Sequence, residues 1–269
     1  MSNCILTSPM TNSLVHAGSS NYLLSSLSRE EYSRIAPHLR TVQMRLGDVL
    51  SGAPRDLPFA YFPRTCVISL ISDMENGATA QVALTGNDGV VGISLFLGGN
   101  TATSRTVVGV AGEAQRMDAR VLKEQFTRGG TFQRSLLRYT EALITQISLT
   151  AACNRMHTLE KRLCRWLLLI HDRAASNEFV MTQEFIAHML GGRRETVTVA
   201  AGRLQDAGLI RYTRGRLTIV NRKGLEDSVC ECYRPFVRGS NALALGTEIE
   251  SSHCARLSVP RSRVSSALS

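Results

Sequence analysis

The sequence lacks the signatures of membrane proteins, secreted proteins and common enzyme classes. No apolar run approaches the roughly 18 residues that a membrane-spanning helix needs. Residues 1–20 carry no basic stretch ahead of an apolar core, as a secretory signal would. A P-loop, a G-x-G-x-x-G fingerprint and a G-x-S-x-G nucleophile motif are all missing. We therefore expect a cytoplasmic protein without membrane contact that is not an enzyme.

Motifs for metals and cofactors are missing as well. The seven cysteines are Cys4, Cys66, Cys153, Cys164, Cys230, Cys232 and Cys254. They form no C-x-x-C pair, and no cysteine–histidine set has zinc-finger spacing, so the spacing favours free thiols, no metal and no cofactor. Residues 41–117 contain no histidine, which leaves a cupin-like metalloenzyme as only a remote alternative.

Positive charge is in excess and is concentrated in one segment. The chain has 31 Lys and Arg residues against 22 Asp and Glu residues, a formal net charge of +9. Eight basic and three acidic residues lie between Val180 and Lys223, so this short segment holds +5 of that charge. A basic surface favours an anionic partner, because its binding releases counterions.

The pattern of the chain predicts an α+β protein. Residues 1–20 and 236–269 are predicted to be tails without a fold. Over residues 41–117, short Val-, Ile- and Thr-rich segments alternate with turn signals such as Asn76-Gly77, which indicates an antiparallel, jelly-roll-like β-roll in a domain over residues 21–130. Helical periodicity then predicts a long helix over residues 131–157 and a mainly helical domain over residues 158–235.

Two apolar faces run along the predicted long helix. One is a heptad-like seam, typical of a helix that pairs with its own copy in a homodimer. The seam contains Leu136, Tyr139, Leu143 and Ile147. The other face is expected to pack on the β-roll, and it contains Leu137, Ile144 and Leu149.

The segment from Met181 to Gln205 has the pattern of a helix-turn-helix. Thr182 can cap a first helix, Gly191-Gly192 can form a tight turn, and apolar residues from Val197 to Leu204 recur at helical spacing in a second helix. The N-terminal residues of such a second helix enter the major groove of DNA. Two short strands around Arg214-Gly215 predict a β-wing beside it.

The side chains of this segment predict how DNA would be read. Arg194 can donate two hydrogen bonds to guanine, and Glu195 can accept one from the amino group of cytosine. The residues suited to phosphate contact or positioning are Thr182, Arg193, Thr196, Thr198, Arg203, Arg214 and Arg216. We therefore expect double-stranded DNA as the partner.

The stretch Arg193-Arg194-Glu195-Thr196-Val197 resembles the recognition-helix signature of the Crp/Fnr family of bacterial transcription regulators. The resemblance covers roughly residues 23–233. It implies a cyclic-nucleotide-binding-like sensor domain, a dimerisation helix, and a winged helix that reads a palindromic operator, with RNA polymerase as a further expected partner. It also implies that Arg194 and Glu195 read bases and that Val199 takes a third reading position, where it could touch a thymine methyl.

The sensor segment departs from the family's cyclic-nucleotide pattern. By the resemblance, Ile93 stands where a glutamate would bind ribose, which removes a charged hydrogen bond worth about 1.5–3 kcal/mol. Cyclic AMP is therefore not expected. The candidate pocket for an unknown small-molecule effector contains Gly92, Ser104, Arg105 and Thr106. The alternative is a ligand-independent DNA-binding regulator that keeps the β-roll only as a scaffold.

Overall fold

The computed structural model of the chain describes residues 21–51, 57–99, 104–174 and 176–234. The tails predicted for residues 1–20 and 236–269 lie outside this range. The helices are α1 Tyr22–Ser25, α2 Arg29–Ile35, α3 Ala119–Thr127, α4 Gly130–Met156, α5 Leu159–His171, α6 Gln183–Leu190, α7 Arg194–Asp206 and α8 Arg222–Ser228. The strands are β1 Arg40–Met44, β2 Val49–Ser51, β3 Phe59–Pro63, β4 Val67–Asp73, β5 Thr79–Thr85, β6 Arg105–Val110, β7 Gly112–Asp118, β8 Glu178–Val180, β9 Ile210–Thr213 and β10 Arg216–Ile219. The α+β class predicted from the sequence is confirmed.

The first seven strands form the predicted antiparallel β-roll. They make two sheets, with strand orders β1-β7-β3 and β2-β6-β4-β5. The turn expected at Asn76-Gly77 lies in the hairpin between β4 and β5: Gly77 has a φ of +80°, and the Asn76 side chain accepts a hydrogen bond from the backbone N–H of Ala78. Phe62 and Met117, both fully buried, contribute to the core of the roll.

Helix α4 lies on the β-roll with the face that the sequence assigns to the dimer. Leu136, Tyr139 and Leu143 are at most 4% exposed and belong to the core of the roll, and the Tyr139 hydroxyl lies 2.7 Å from that of Thr85. The seam prediction is therefore wrong for these three residues, because a side chain buried within its own chain cannot contact a second copy. Ile147, the fourth, is 37% exposed.

The expectation for the other face of α4, that it packs on the β-roll, is also wrong. Leu137 and Ile144, which were expected to pack on the β-roll, are 45% and 58% exposed. Both faces of α4 carry recurring apolar residues, and the sequence pattern alone does not say which partner a face contacts. The face with the large aromatic side chains fills the core, where burial contributes most to stability.

The winged part of the chain packs closely against the β-roll. One hydrophobic core joins residues of α5, α6 and α7 to Val67, Ile71 and Leu84 of the roll. The Trp166 indole N–H donates to the side-chain oxygen of Gln81, 2.5 Å away. Helix α4 ends at the predicted boundary near residue 157, although the domain limits themselves remain predictions. No helix in the described ranges has the length and apolar character to cross a membrane.

Candidate DNA-binding interface

The first helix and the turn of the helix-turn-helix form as the sequence predicts. Thr182 is the N-cap of α6, and its hydroxyl accepts a hydrogen bond from the backbone N–H of Phe185 at 3.1 Å. Helix α6 ends at Gly191 with a φ of +59°, in the left-handed region that glycine adopts without steric cost. Helix α7 then begins at Arg194, with Arg193 in an extended conformation before it.

Helix α7 has one buried face and one exposed face. The buried face packs in the core with Val197, Ala200, Ala201 and Leu204. The exposed face presents Arg194, Glu195, Thr198 and Val199. The three side chains predicted to read bases therefore lie on one solvent-facing side of the helix. The Val199 side chain is 56% exposed and is therefore accessible to a partner.

Arg194 and Glu195 lie in the first turn of α7, where a recognition helix meets base edges. Both side chains are exposed, and neither takes part in an ion pair within the described part of the chain. An open groove lies between this end of α7 and the wing, lined in part by Thr182, Arg194 and Arg214. The structure thus brings these three predicted DNA contacts together.

Thr198 holds the two helices of the motif in register. Its hydroxyl donates to the side-chain oxygen of Gln183, at the start of α6, over 2.8 Å. It also lies 3.0 Å from the carbonyl oxygen of Arg194. The Thr198 hydroxyl has one proton, and the bond to Gln183 uses it. A DNA phosphate oxygen can only accept hydrogen bonds, so Thr198 cannot donate to a phosphate while the bond to Gln183 is kept. In this state Thr198 contributes by positioning α7.

Two of the predicted phosphate contacts are engaged in exposed ion pairs. Arg203 lies 3.4 Å from Glu160, and Arg216 lies 2.7 Å from Glu178. Exposed pairs of this kind contribute only about 0–1 kcal/mol, so a DNA phosphate can compete for either guanidinium. Arg193 and Thr196 are exposed at the start of α7.

The predicted wing is a β-hairpin with a two-residue turn. Thr213 pairs with Arg216, which leaves Arg214 and Gly215 as the turn, with φ of +50° and +76°. A type I′ turn needs positive φ at both positions. Arg214 adopts this conformation at a cost of about 1–2 kcal/mol relative to the usual helical or extended regions. This turn places the cation of Arg214 at the tip of the wing.

Sequence reasoning missed the residue that attaches the wing to the helix-turn-helix. The Tyr212 hydroxyl donates to the carbonyl oxygen of Met181 at 2.9 Å, directly before α6. Burial of the ring raises the pKa of Tyr212, which keeps the donor protonated. An aromatic residue in a predicted wing strand was the only signal that could have indicated this contact.

The candidate effector site is a cavity of about 130 Å³ within the β-roll. Gly92, Ser104 and Thr106 line it, as the sequence predicts. Arg105 does not, because neighbouring residues of a strand point to opposite faces. Its guanidinium instead donates to both carboxylate oxygens of Asp73, at 2.8 and 2.7 Å, and these hydrogen bonds lower the pKa of Asp73. The assignment of Arg105 to the pocket is wrong.

The wall of this cavity is largely apolar. Among the described residues, its lining contains hydroxyl groups but no charged side chain. The Ser51 and Thr106 hydroxyls are hydrogen-bonded to each other. Leu143 and Ile147 of α4 form part of the wall, so a molecule in the cavity would touch the long helix directly.

Comparison with known proteins places this architecture. Residues 161–228 match the model of the Crp-like helix-turn-helix domain. A transcriptional regulator of the crp/fnr family from Eubacterium rectale has a similar structure, with a TM-score of 0.60 and 19% identity over 80% of this chain and 99% of that one. The chain therefore contains a Crp-like helix-turn-helix domain and shares the fold of Crp/Fnr-type regulators.

Other Crp/Fnr-type structures share the fold. FixK2 from Bradyrhizobium japonicum has a TM-score of 0.61 and 16% identity, covering 71% of this chain and 98% of its own. The global regulator CLP from Xanthomonas campestris, described as responsive to c-di-GMP, has a TM-score of 0.53 and 13% identity, covering 71% of this chain and 99% of its own. No curated protein sequence matches the chain. These matches show that the chain has the fold of such regulators, and the family model adds a Crp-like helix-turn-helix domain.

Proposed function

We propose that this protein is a homodimeric transcription regulator of the Crp/Fnr type that reads a palindromic operator in double-stranded bacterial DNA. The observation that carries the proposal is the exposed face of α7, where Arg194, Glu195 and Val199 project from a helix-turn-helix whose wing presents Arg214. A protein with this task works in the cytoplasm and acts on RNA polymerase bound nearby.

Each of the three reading residues has a distinct role. Arg194 donates two hydrogen bonds to O6 and N7 of a guanine, and Glu195 accepts one from the amino group of a cytosine. Val199 lies one helical turn further along the same face, where its methyl groups suit the methyl group of a thymine.

Phosphate contacts from the flanks would fix the helix in the groove. The exposed candidates are Arg193, Thr196, Arg203, Arg214 and Arg216. Each phosphate that such a cation neutralises adds about −0.9 to the slope of log affinity against log salt. Affinity for DNA of any sequence should therefore fall steeply with ionic strength.

We infer that the dimer forms through the exposed face of α4 instead of the face first expected from the sequence. Leu137, Ile144 and Ala151 are exposed and lie seven residues apart, and Ile147 lies on the same side. A repeat of seven keeps one face of a helix towards its partner. Two-fold symmetry would then place the recognition helices about 34 Å apart, one turn of DNA.

We also propose that the candidate effector site, the cavity within the β-roll, does not bind cyclic AMP. A phosphodiester needs a cationic or otherwise polar cradle, whereas the described lining offers hydroxyls and aliphatic groups. Cyclic AMP should leave the melting temperature of the protein unchanged in a thermal-shift measurement. The same measurement can screen small uncharged compounds as candidate ligands. If no compound shifts the melting temperature and DNA binding needs none, the chain is a ligand-independent regulator that keeps the roll as a scaffold.

Substitution of Arg194 by alanine tests the DNA-binding proposal. Loss of one bidentate contact costs about 1–3 kcal/mol, and a dimer loses two, so we expect a loss of about 2–6 kcal/mol in specific affinity. Specific and non-specific binding typically differ by about 4–10 kcal/mol, so Arg194→Ala should abolish most operator selectivity. The measurement is footprinting and gel-shift titration on operators selected from genomic fragments.

Arg29→Ala is the matched control, since Arg29 is an exposed arginine at the start of α2 in the β-roll. It removes the same charge and should keep the footprint. Both variants should elute as the same oligomer as the parent chain. An unchanged footprint for Arg194→Ala would show that α7 does not read bases through this residue.

A further inference from the structure

Three cysteines and one histidine, distant in sequence, meet where α4 ends. Cys153 lies in the last turns of α4, and His157 follows four residues later, on the same side of the helix end. Cys230 and Cys232 come after α8, at the far end of the winged domain. One donor atom from each of the four lies within 4.8 Å of all the others. We call this group the Cys3His cluster.

The spacing of these atoms fits a tetrahedral metal ion. The sulfurs of Cys153 and Cys230 are 3.6 Å apart, and the Cys232 sulfur lies 3.7 Å from Nδ1 of His157. Zinc binds sulfur at about 2.3 Å and imidazole nitrogen at about 2.0–2.1 Å, so the edges of its tetrahedron are about 3.8 Å between sulfurs and about 3.5 Å between sulfur and nitrogen. The cluster is therefore already close to the size of a zinc site.

The histidine is oriented as a metal ligand. Its Nδ1 faces the sulfur of Cys232, while its other ring nitrogen, Nε2, lies 3.4 Å from a carboxylate oxygen of Glu231. Metal-bound histidines commonly donate their second ring N–H to a carboxylate, which fixes the tautomer and makes the ligand more basic. Glu231 stands between the two C-terminal cysteines, so the same short segment supplies ligands and the group that orients His157.

A buried cation, Arg165, lies beside the cluster and would be stabilised by a negative charge there. Arg165 is 6% exposed, and it donates to the carbonyl oxygen of Cys232 at 3.4 Å and to the Thr150 hydroxyl at 3.3 Å. No carboxylate in the described ranges pairs with Arg165. A buried cation is costly unless an opposite charge lies near it. Zinc with three thiolates and a neutral imidazole carries a net charge of −1, which would balance Arg165, whereas neutral thiols or a disulfide would not.

We propose that Cys153, His157, Cys230 and Cys232 bind one zinc ion, which ties the end of α4 to the end of the winged domain. The three cysteines are at most 6% exposed, as suits a closed structural site with four protein ligands. Such an ion would cross-link the two sides of the break between α4 and α5, and so hold the DNA-binding helices in a fixed position relative to the long helix. The metal site stands apart from the proposed DNA function, and its tests use no DNA.

The first test measures metal in the purified full-length chain by mass spectrometry of the elements. We expect one zinc per chain, and replacement by cobalt should give the visible spectrum of a tetrahedral cobalt thiolate. Cys230→Ala should lose the bound metal. Cys66→Ala is the matched control, because Cys66 is an equally buried thiol in the β-roll, and it should keep one zinc.

A second variant avoids the risk that a buried substitution unfolds the chain. Glu231 is 78% exposed, so Glu231→Gln should fold, and it should weaken zinc binding about 10-fold or more in competition with a chromogenic chelator. The proposal is overturned if the parent chain binds no zinc under reducing conditions, if Cys230→Ala keeps a full equivalent, or if Cys153 and Cys230 are found linked as a disulfide in place of metal.

Discussion

Loss of a single buried carboxylate should destabilise the whole chain, because it removes the charge that pairs with a buried cation at the junction of its two parts. Asp88 lies in the loop after β5, and Arg173 lies just beyond α5. Arg173 donates to both carboxylate oxygens of Asp88, at 2.7 and 3.1 Å. Their side chains are only 8% and 2% exposed, so water cannot replace either partner. The pair is also a buried ionic link between the β-roll and the winged part.

Asp88→Asn keeps the shape of the side chain but removes its charge. Breaking a buried pair in this way costs about 3–5 kcal/mol, since the guanidinium of Arg173 loses the carboxylate of Asp88 while it stays buried. At about 2–4 °C for each kcal/mol, the melting temperature should fall by roughly 6–20 °C. Chemical denaturation gives the free energy of unfolding, and hydrogen exchange shows whether the junction opens before the rest of the chain.

The control is an ion pair on the surface. Lys223 and Asp227 are 2.6 Å apart, but their side chains are 77% and 64% exposed, so Asp227→Asn should leave the free energy of unfolding nearly unchanged. Replacing both buried partners, as Asp88→Leu with Arg173→Met, should recover much of the loss, because it leaves no isolated charge. Equal, small effects of Asp88→Asn and Asp227→Asn would refute the inference that burial makes the first pair important.

Two further predictions concern the wing and the dimer. Arg214→Asn should raise the free energy of unfolding by about 1 kcal/mol, because asparagine suits the left-handed turn position. The slope of log DNA affinity against log salt concentration should fall in magnitude by about 0.9 per protomer. A less stable variant would contradict the strain at this turn. Ile144→Glu should convert the dimer to a monomer in analytical ultracentrifugation, since it places a charge in the inferred interface, whereas Thr145→Glu, on the neighbouring exposed position, should stay dimeric. Dimers in both variants would place the interface elsewhere.

The helix-turn-helix could be predicted from the sequence because its signals are local. A threonine cap, a glycine with positive φ and apolar residues at helical spacing each act within a few residues of one another. The structure has Thr182 capping α6, Gly191 ending it and Val197 facing the core, as the sequence requires. The antiparallel β-roll follows from equally local alternation and turns.

The features that could not be predicted depend on contacts between distant residues. Heptad spacing in α4 identifies two apolar faces but not the partner of each, so Tyr139 and Ile144 were assigned to the wrong surfaces. The Cys3His cluster joins positions 77 residues apart, from Cys153 to Cys230, and no motif spacing reveals it. Arg105 was predicted to line the pocket because it stands between Ser104 and Thr106 in the sequence. In strand β6 its side chain points to the opposite face, where it pairs with Asp73.

Helix α4 runs from the candidate effector cavity to the winged domain. Leu143 and Ile147 line the sensor cavity, Ile144 faces solvent on the inferred dimer side, and Cys153 lies at the end that adjoins the winged domain. A ligand can shift a conformational equilibrium only by as much as it prefers one state over the other. An effector would therefore influence the protein only if it bound one conformation more tightly than another. With zinc in the Cys3His cluster, the end of α4 cannot move without the winged domain, so a shift of the helix would be passed directly to Arg194 and Glu195.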